Sequence, residues 1–155
     1  MITELAKKLI HENEGDRLTV YRDPVGILTI GRGRNLEDRG ITQDESDYLL
    51  RNDIAEAHDR LSDEFAFFAR LSDPRRLVLM DMYHNLGLKG LLGFRKMLTA
   101  LQHGDYDTAS DELMNSRYWN QVGVRAQRNY CMIRYNRYYT RPQAKKYFEE
   151  NHIGI

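Results

Sequence analysis

Cysteine is almost missing from this chain of 155 residues: Cys131 stands alone. An internal disulfide is therefore excluded. The fold must hold by packing, as suits a protein made in a reducing cytosol, and a reactive-thiol role is not expected. Long apolar runs are missing too. The stretch Met1-Ile2-Thr3-Glu4-Leu5-Ala6-Lys7-Lys8 is amphipathic, and nowhere does an apolar run approach the roughly 20 residues that a membrane span needs. The sequence thus predicts neither membrane insertion nor a signal peptide. Net charge is absent as well, since Lys plus Arg and Asp plus Glu count 23 each. No global field draws the chain to nucleic acid, membrane or acidic polymer.

Charge is nevertheless unevenly placed. Acids dominate from Glu37 to Asp73, among them Asp44, Asp53 and Asp63, whereas Arg125, Arg128, Arg134, Arg137, Arg141 and Lys145 make the later chain basic. A basic surface there suits a polyanion, either a bacterial wall or a nucleic acid. The length favours one folding unit that can divide into two lobes, with no second independent domain and a monomer expected. No internal repeat or low-complexity segment is present.

Ile2, Leu5, Ala6, Leu9 and Ile10 recur at helical spacing and Gly15 follows as a stop, so residues 2–14 read as a helix ending at Glu14. From Leu18 the pattern turns to strand. Asp23-Pro24-Val25-Gly26 is a turn signal between Val20-Tyr21 and Ile27 to Ile30, which predicts a hairpin or short sheet closed by Gly31 and Gly33. Thr42 and Glu45 have capping-box spacing and open a helix through Ile54. Helices follow from an Asp73 N-cap with Pro74 to a stop at Gly87, from Gly93 to His103, from Thr108 to Asn115, and from Val124 to Tyr139. The order, a helix and small sheet before a helical lobe, is α+β.

Hydrolysis of a glycosidic bond needs one protonated carboxyl and one carboxylate. Glu14 at a helix end and Asp23 at the following turn can face each other across a cleft. An acid in a last helical turn opposes the helix dipole, by a few tenths of a kcal/mol up to ~1 kcal/mol, without structural benefit. Taken alone the pair also suits ordinary roles: Glu14 an exposed acid, Asp23 a turn starter before proline, Thr29 a strand residue.

The wider string from Glu14-Gly15 through Tyr21, Asp23, Gly26, Thr29 and Ile30-Gly31 to Gly33 resembles the active-site signature of the phage-type lysozymes, glycoside hydrolase family twenty-four. That signature is Glu, eight residues, Asp, five residues, Thr. Ile41 to Glu45 is similar to the family's inter-lobe helix start, Met82 to Gly87 and Gly93-Phe94 to its central helices, and Ser116 to Asn120 with Arg125-Ala126 to its late helical segment. The resemblance runs to about Arg134. It implies a lysozyme-like α+β fold over residues 1–155, with lobes at about 12–60 and 61–155, helix 2–14 contributing to the later lobe, and a cleft between them. It further implies an inverting endo-β-N-acetylmuramidase that cuts peptidoglycan between N-acetylmuramic acid and N-acetylglucosamine for bacterial lysis, with the carboxyls roughly 6.5 to 9.5 Å apart.

By the same resemblance Glu14 is the general acid, Asp23 the base or electrostatic partner, and Thr29 the residue that helps hold the attacking water. Asn35, His84, Asn85, Met97 and Arg125 are expected at the substrate. Arg125 would approach Glu14 and favour its charged form, so that burial must counteract it. No cofactor and no metal are expected. The enzyme would stay in the host cytoplasm until a separate holin-like protein opened a route to the periplasm and wall.

Some residues depart from the family pattern. Arg34 replaces a histidine that many members carry, a permanent cation for a titratable ring. His84 stands where relatives can have a larger apolar aromatic, Met97 where a small polar residue can sit, and the end from Tyr135 lacks the usual Gly and Trp.

Other chemistry has less support. The histidines, His11, His58, His84, His103 and His152, show no metal-ligand spacing. Gly31-Arg32-Gly33 lacks the remaining glycines and the lysine of a phosphate loop. The Arg125 to Tyr139 segment suits a helical nucleic-acid binder, but its arginines equally suit a solvated face or the anionic wall, and no nucleic-acid partner is expected. A lytic transglycosylase acting on the same bond and a non-catalytic wall-binding protein remain alternatives.

Overall fold

A computed structural model describes residues 2–151; His152 lies outside the described residues, as does the rest of the C-terminal end. The chain is α+β. Helix α1 (Ile2–Glu14) leads into an antiparallel sheet of β1 (Arg17–Arg22), β2 (Leu28–Gly31) and β3 (Arg34–Asn35). Helices α2 (Gln43–Glu64), α3 (Asp73–Leu92), α4 (Arg95–His103), α5 (Tyr106–Met114), α6 (Arg117–Val122), α7 (Val124–Tyr135) and α8 (Arg141–Glu150) follow.

Most boundaries have a local cause already visible in the sequence. At the start of α2, the Thr42 amide donates to Glu45 Oε2 at 2.8 Å and the Glu45 amide to Thr42 Oγ1 at 3.2 Å, a complete capping box. The N-cap of α3 is Ser72, one residue before the expected Asp73, because Ser72 keeps the extended backbone and Asp73-Pro74 forms the first turn. Helical geometry in α3 breaks at Gly87, whose φ of 67° and ψ of 174° interrupt it before a last turn to Leu92. The predicted helix to Tyr139 is shorter. Asn136 takes a left-handed φ of 53°, ending α7, and Thr140 opens α8 with its own capping box.

Two compact units result, one up to Arg51 and one from Asn52 onward. The division falls inside α2, and α1 and the sheet lie in the first unit. Two residues link α1 to β1, so its neighbours are local; the buried positions of α2, Ala57 and Leu61, lie past the division. The units differ in packing. Among the described residues Thr29 is the only buried one of the first unit. The second holds a continuous apolar core that includes Leu61, Phe68, Leu79, Met82, Leu91, Leu113, Ile133 and Phe148. α7 runs through this core, burying Ala126, Tyr130, Cys131 and Ile133.

Candidate active site

The three signature residues lie within the first unit on consecutive elements. Glu14 is the last residue of α1, and Gly15 ends the helix with a φ of +67° while its amide donates to the His11 carbonyl at 2.9 Å. The Glu14 carboxyl makes no hydrogen bond or ion pair among the described residues. It lies against the backbone of Gly33, where an added Cβ would come within 3.3 Å of Glu14 Oε2. Glycine there does two things: it accepts a φ of +81° and leaves room for the carboxyl.

Asp23 is held by its own turn. Its Oδ1 accepts from the Val25 amide at 3.0 Å and the Ile27 amide at 2.9 Å, and its amide donates to the Ile27 carbonyl at 3.0 Å. The other carboxylate oxygen takes no hydrogen bond among the described residues. Thr29, 4% exposed on β2, donates its hydroxyl hydrogen to the Ile27 carbonyl at 3.0 Å. Ile27 therefore anchors both side chains. With its hydrogen committed, the Thr29 oxygen can only accept, while the free Asp23 oxygen can accept a proton. A water between such groups is oriented by both.

Arg34 has an electrostatic task that the sequence left open. Its guanidinium pairs with Glu45 and donates to the Gly40 carbonyl at 3.3 Å, tying β3 to the first turn of α2. The Thr42 amide and the Arg34 charge hold the Glu45 carboxyl below its usual range. Asn35, opposite Thr29 in the sheet, donates to Asp38 at 2.9 Å and accepts from its amide at 2.9 Å, which shapes the turn after β3.

The other expected substrate residues lie in the second unit. His84 and Asn85 are exposed on α3, two and three residues after the buried Met82. Met97 is packed in the core at 1% exposure. It also lines a hollow of about 590 Å³ with Leu86, Phe94, Asn115 and Tyr118. Arg125 is occupied by an acid that sequence reasoning missed: it grips Asp81 with Nε to Oδ2 at 2.9 Å and Nη2 to Oδ1 at 3.0 Å. Arg128 and Asn129 reach the same carboxylate at 3.0 and 2.9 Å. Burial by itself would push the Asp81 carboxyl up, but the hydrogen bonds from Arg125 and Asn129 and the two arginine charges together hold it below its usual range. An acid between Met80 and Met82 was the available signal, since a covered carboxylate demands a cation.

Comparison with known proteins gives the family. The phage lysozyme family matches residues 11–137, a span that includes Glu14, Asp23, Thr29 and the α3 to α7 helices. The chain is 22% identical to "Probable T4-type lysozyme 1" of Dictyostelium discoideum, over 82% of this chain and 92% of that protein. A second protein of that organism, "Probable T4-type lysozyme 2", is also 22% identical, over 83% and 92%. "Pre-baseplate central spike protein Gp5" of Enterobacteria phage T4 is 25% identical over 78% of this chain but only 26% of its own length. The chain belongs to the phage lysozyme family, whose members are lysozyme-like peptidoglycan hydrolases.

Proposed function

We propose that this protein hydrolyses the β-1,4 bond between N-acetylmuramic acid and N-acetylglucosamine, with Glu14 donating the proton to the leaving oxygen and Asp23 activating the attacking water. The observation that carries this reading is the state of the two carboxyls. Among the described residues Glu14 has no partner at its helix end, and Asp23 is fixed through one oxygen while the other accepts nothing. Glu14 protonates the bridging oxygen as the bond to the anomeric carbon breaks and cation-like charge develops there. Asp23 takes a proton from the water that Thr29 helps orient, and the resulting oxygen attacks the opposite face of the sugar. A water placed on that face, with no covalent sugar on Asp23, yields inversion. His84, Asn85, Asn35 and the hollow beside Met97 are the proposed contacts for the flanking wall polymer. The enzyme acts in bacterial lysis, held in the host cytoplasm until a holin-like partner gives it access to the wall.

Replacing Glu14 with Gln tests the assignment. Turbidity loss on outer-membrane-permeabilised bacteria should vanish while the thermal transition is unchanged; undiminished lysis removes Glu14 from its role. Mass spectrometry of released muropeptides then separates mechanisms. Reducing ends are expected, whereas 1,6-anhydro ends would identify a lytic transglycosylase instead.

A further inference from the structure

The family match ends at residue 137, and the chain at and beyond that point forms a recess that hydrolysis at Glu14 does not use. The left-handed Asn136 ends α7, and the Thr140 capping box starts α8, so the short connection turns sharply and α8 packs back on α7. Between the turn and α8 opens a recess of about 320 Å³, lined by Arg137, Tyr138, Tyr139, Gln143, Lys146, Tyr147 and Glu150.

Several of these groups are held by neighbours. Arg137 donates to the Tyr139 hydroxyl at 2.6 Å and lies 4.6 Å from the centre of its ring, while Tyr139 is itself only 5% exposed. This fixes the guanidinium plane. No carboxylate among the described residues lies within ion-pair reach of Arg137, whereas Lys146 is offset by Glu150 at 3.5 Å. Among the described residues the recess therefore keeps one uncompensated cation, a planar fork suited to a carboxylate. Gln143, which lines the recess, spends its oxygen on the Thr140 amide at 2.9 Å, which leaves its NH₂ as an unspent donor among the described residues. Tyr147 is locked through its hydroxyl to Tyr135. Tyr138 is 62% exposed at the rim and offers an unoccupied aromatic face.

One acid-pairing fork, one amide donor and one free aromatic face describe the surface of a single acidic sugar: the ring's CH face lies on tyrosine, its carboxylate on arginine. The volume is at the low end of the ~300 to 1,000 Å³ typical of small-ligand pockets, enough for one ring. A nucleic-acid strand would instead require a row of cations along its phosphates, which this recess lacks. We propose that the recess is an accessory binding site for one sugar ring bearing a carboxylate, separate from the hydrolytic residues of the first unit.

The test is residue-resolved NMR of the full chain titrated with N-acetylmuramic acid and, in parallel, N-acetylglucosamine. Saturable shifts are expected at Arg137, Tyr138 and Tyr147, with the neutral sugar about tenfold weaker for want of the charge-assisted pair. Arg137→Gln should erase that preference while retaining turnover of soluble wall oligosaccharides. Tyr138→Ala should weaken both sugars. The proposal is overturned if these resonances do not move with either sugar, if Arg137→Gln binds both as the parent does, or if a DNA hairpin or inorganic phosphate moves them and N-acetylmuramic acid does not. Missing shifts with intact turnover sink this site alone, and lost turnover in Glu14→Gln with intact shifts supports each reading separately.

Discussion

Asp81 offers the sharpest quantitative test of how the helical unit is held together. One carboxylate receives hydrogen bonds from Arg125, Arg128 and Asn129, and the Asp81 carbonyl accepts another from Arg125 at 3.0 Å. The three donors lie on one face of α7, so a single acid on α3 pins two core helices. The Asp81 side chain is 23% exposed, and those of Arg125 and Arg128 are 21% and 19%. Replacing Asp81 with Asn removes the charge and turns an NH₂ toward donors, leaving two largely covered cations without an anion. Breaking a fully buried pair this way costs ~3–5 kcal/mol; the residual exposure places this case near the lower bound, at about 3 kcal/mol. For a chain of this length that lowers Tm by about 6 to 12 °C.

The pH dependence provides the second half of the test. The folded Asp81 carboxyl is held below its ordinary value, so its contribution is fully present above the unfolded pKa of ~3.9 and is lost as pH falls through the lower folded value. The stability gap between parent and Asp81→Asn, from urea denaturation, should be constant from pH 7 to about 5 and narrow below about 4. Asp111, paired with Arg134 at 2.9 Å but with its side chain 48% exposed, is the control, and Asp111→Asn should cost less than ~1 kcal/mol. A gap at neutral pH no larger than that of Asp111→Asn, or one that does not narrow in acid, would refute the reasoning.

Other substitutions probe the remaining elements. Gly33→Ala puts a methyl 3.3 Å from Glu14 Oε2 at a backbone φ of +81°; it should destabilise by ~1–2 kcal/mol and lower the rate of wall turnover by up to ~100-fold through misplacement of the acid, and turnover equal to the parent would show that the carboxyl does not need that space. Cys131 is fully covered and burial pushes its thiol up to about 12, so a thiol reagent at pH 8 should label it only after urea unfolding; rapid labelling of the folded protein would contradict the packing of α7. Thr140→Ala removes the capping box of α8 and should cost ~1 kcal/mol by thermal denaturation, whereas no change would mean that α8 contributes nothing to the cooperative unit.

Legibility in the sequence followed the range of the interaction involved. Elements set by local chemistry were readable: the Gly15 stop of α1, the Asp23 turn, the Thr42–Glu45 box and the break at Gly87 each depend on residues within a few positions of one another. The third strand, β3, was missed because two residues carry no periodicity, and it exists only by pairing Thr29 with Asn35 and Ile30 with Arg34. α8 was missed although Thr140, Pro142 and Gln143 spell a capping box with an early proline; arginines and tyrosines on both sides obscured it. Asp81 needed partners 44 to 48 positions away, which no local pattern announces. Of the candidate site, Glu14, Asp23 and Thr29 were named by the resemblance to the phage-type lysozymes, whereas the role of Arg34 as a tie to Glu45 and the capture of Arg125 by Asp81 became visible only in three dimensions.

The same division between local and long-range interactions separates chemistry from stability. In the second unit α3, α5, α7 and α8 meet around buried side chains such as Val78, Leu79, Leu113, Ile133 and Phe148. In the first, Thr29 is the sole buried residue among those described, and α1 buries none. What places Asp23 and Thr29 is a set of short hydrogen-bonded loops through Ile27, not a core. Segments with few buried apolar contacts open at lower free energy than packed helices. Amides of β1 and β2 should therefore exchange with solvent through partial openings, at protection free energies below that of Cys131 or Ile133 in α7. Urea should bring the two sets together only near the global transition. Equal protection in both units at low denaturant would show that the signature residues are stabilised by something other than their local turns, and would remove the physical basis for treating the Asp23 loop as self-supporting.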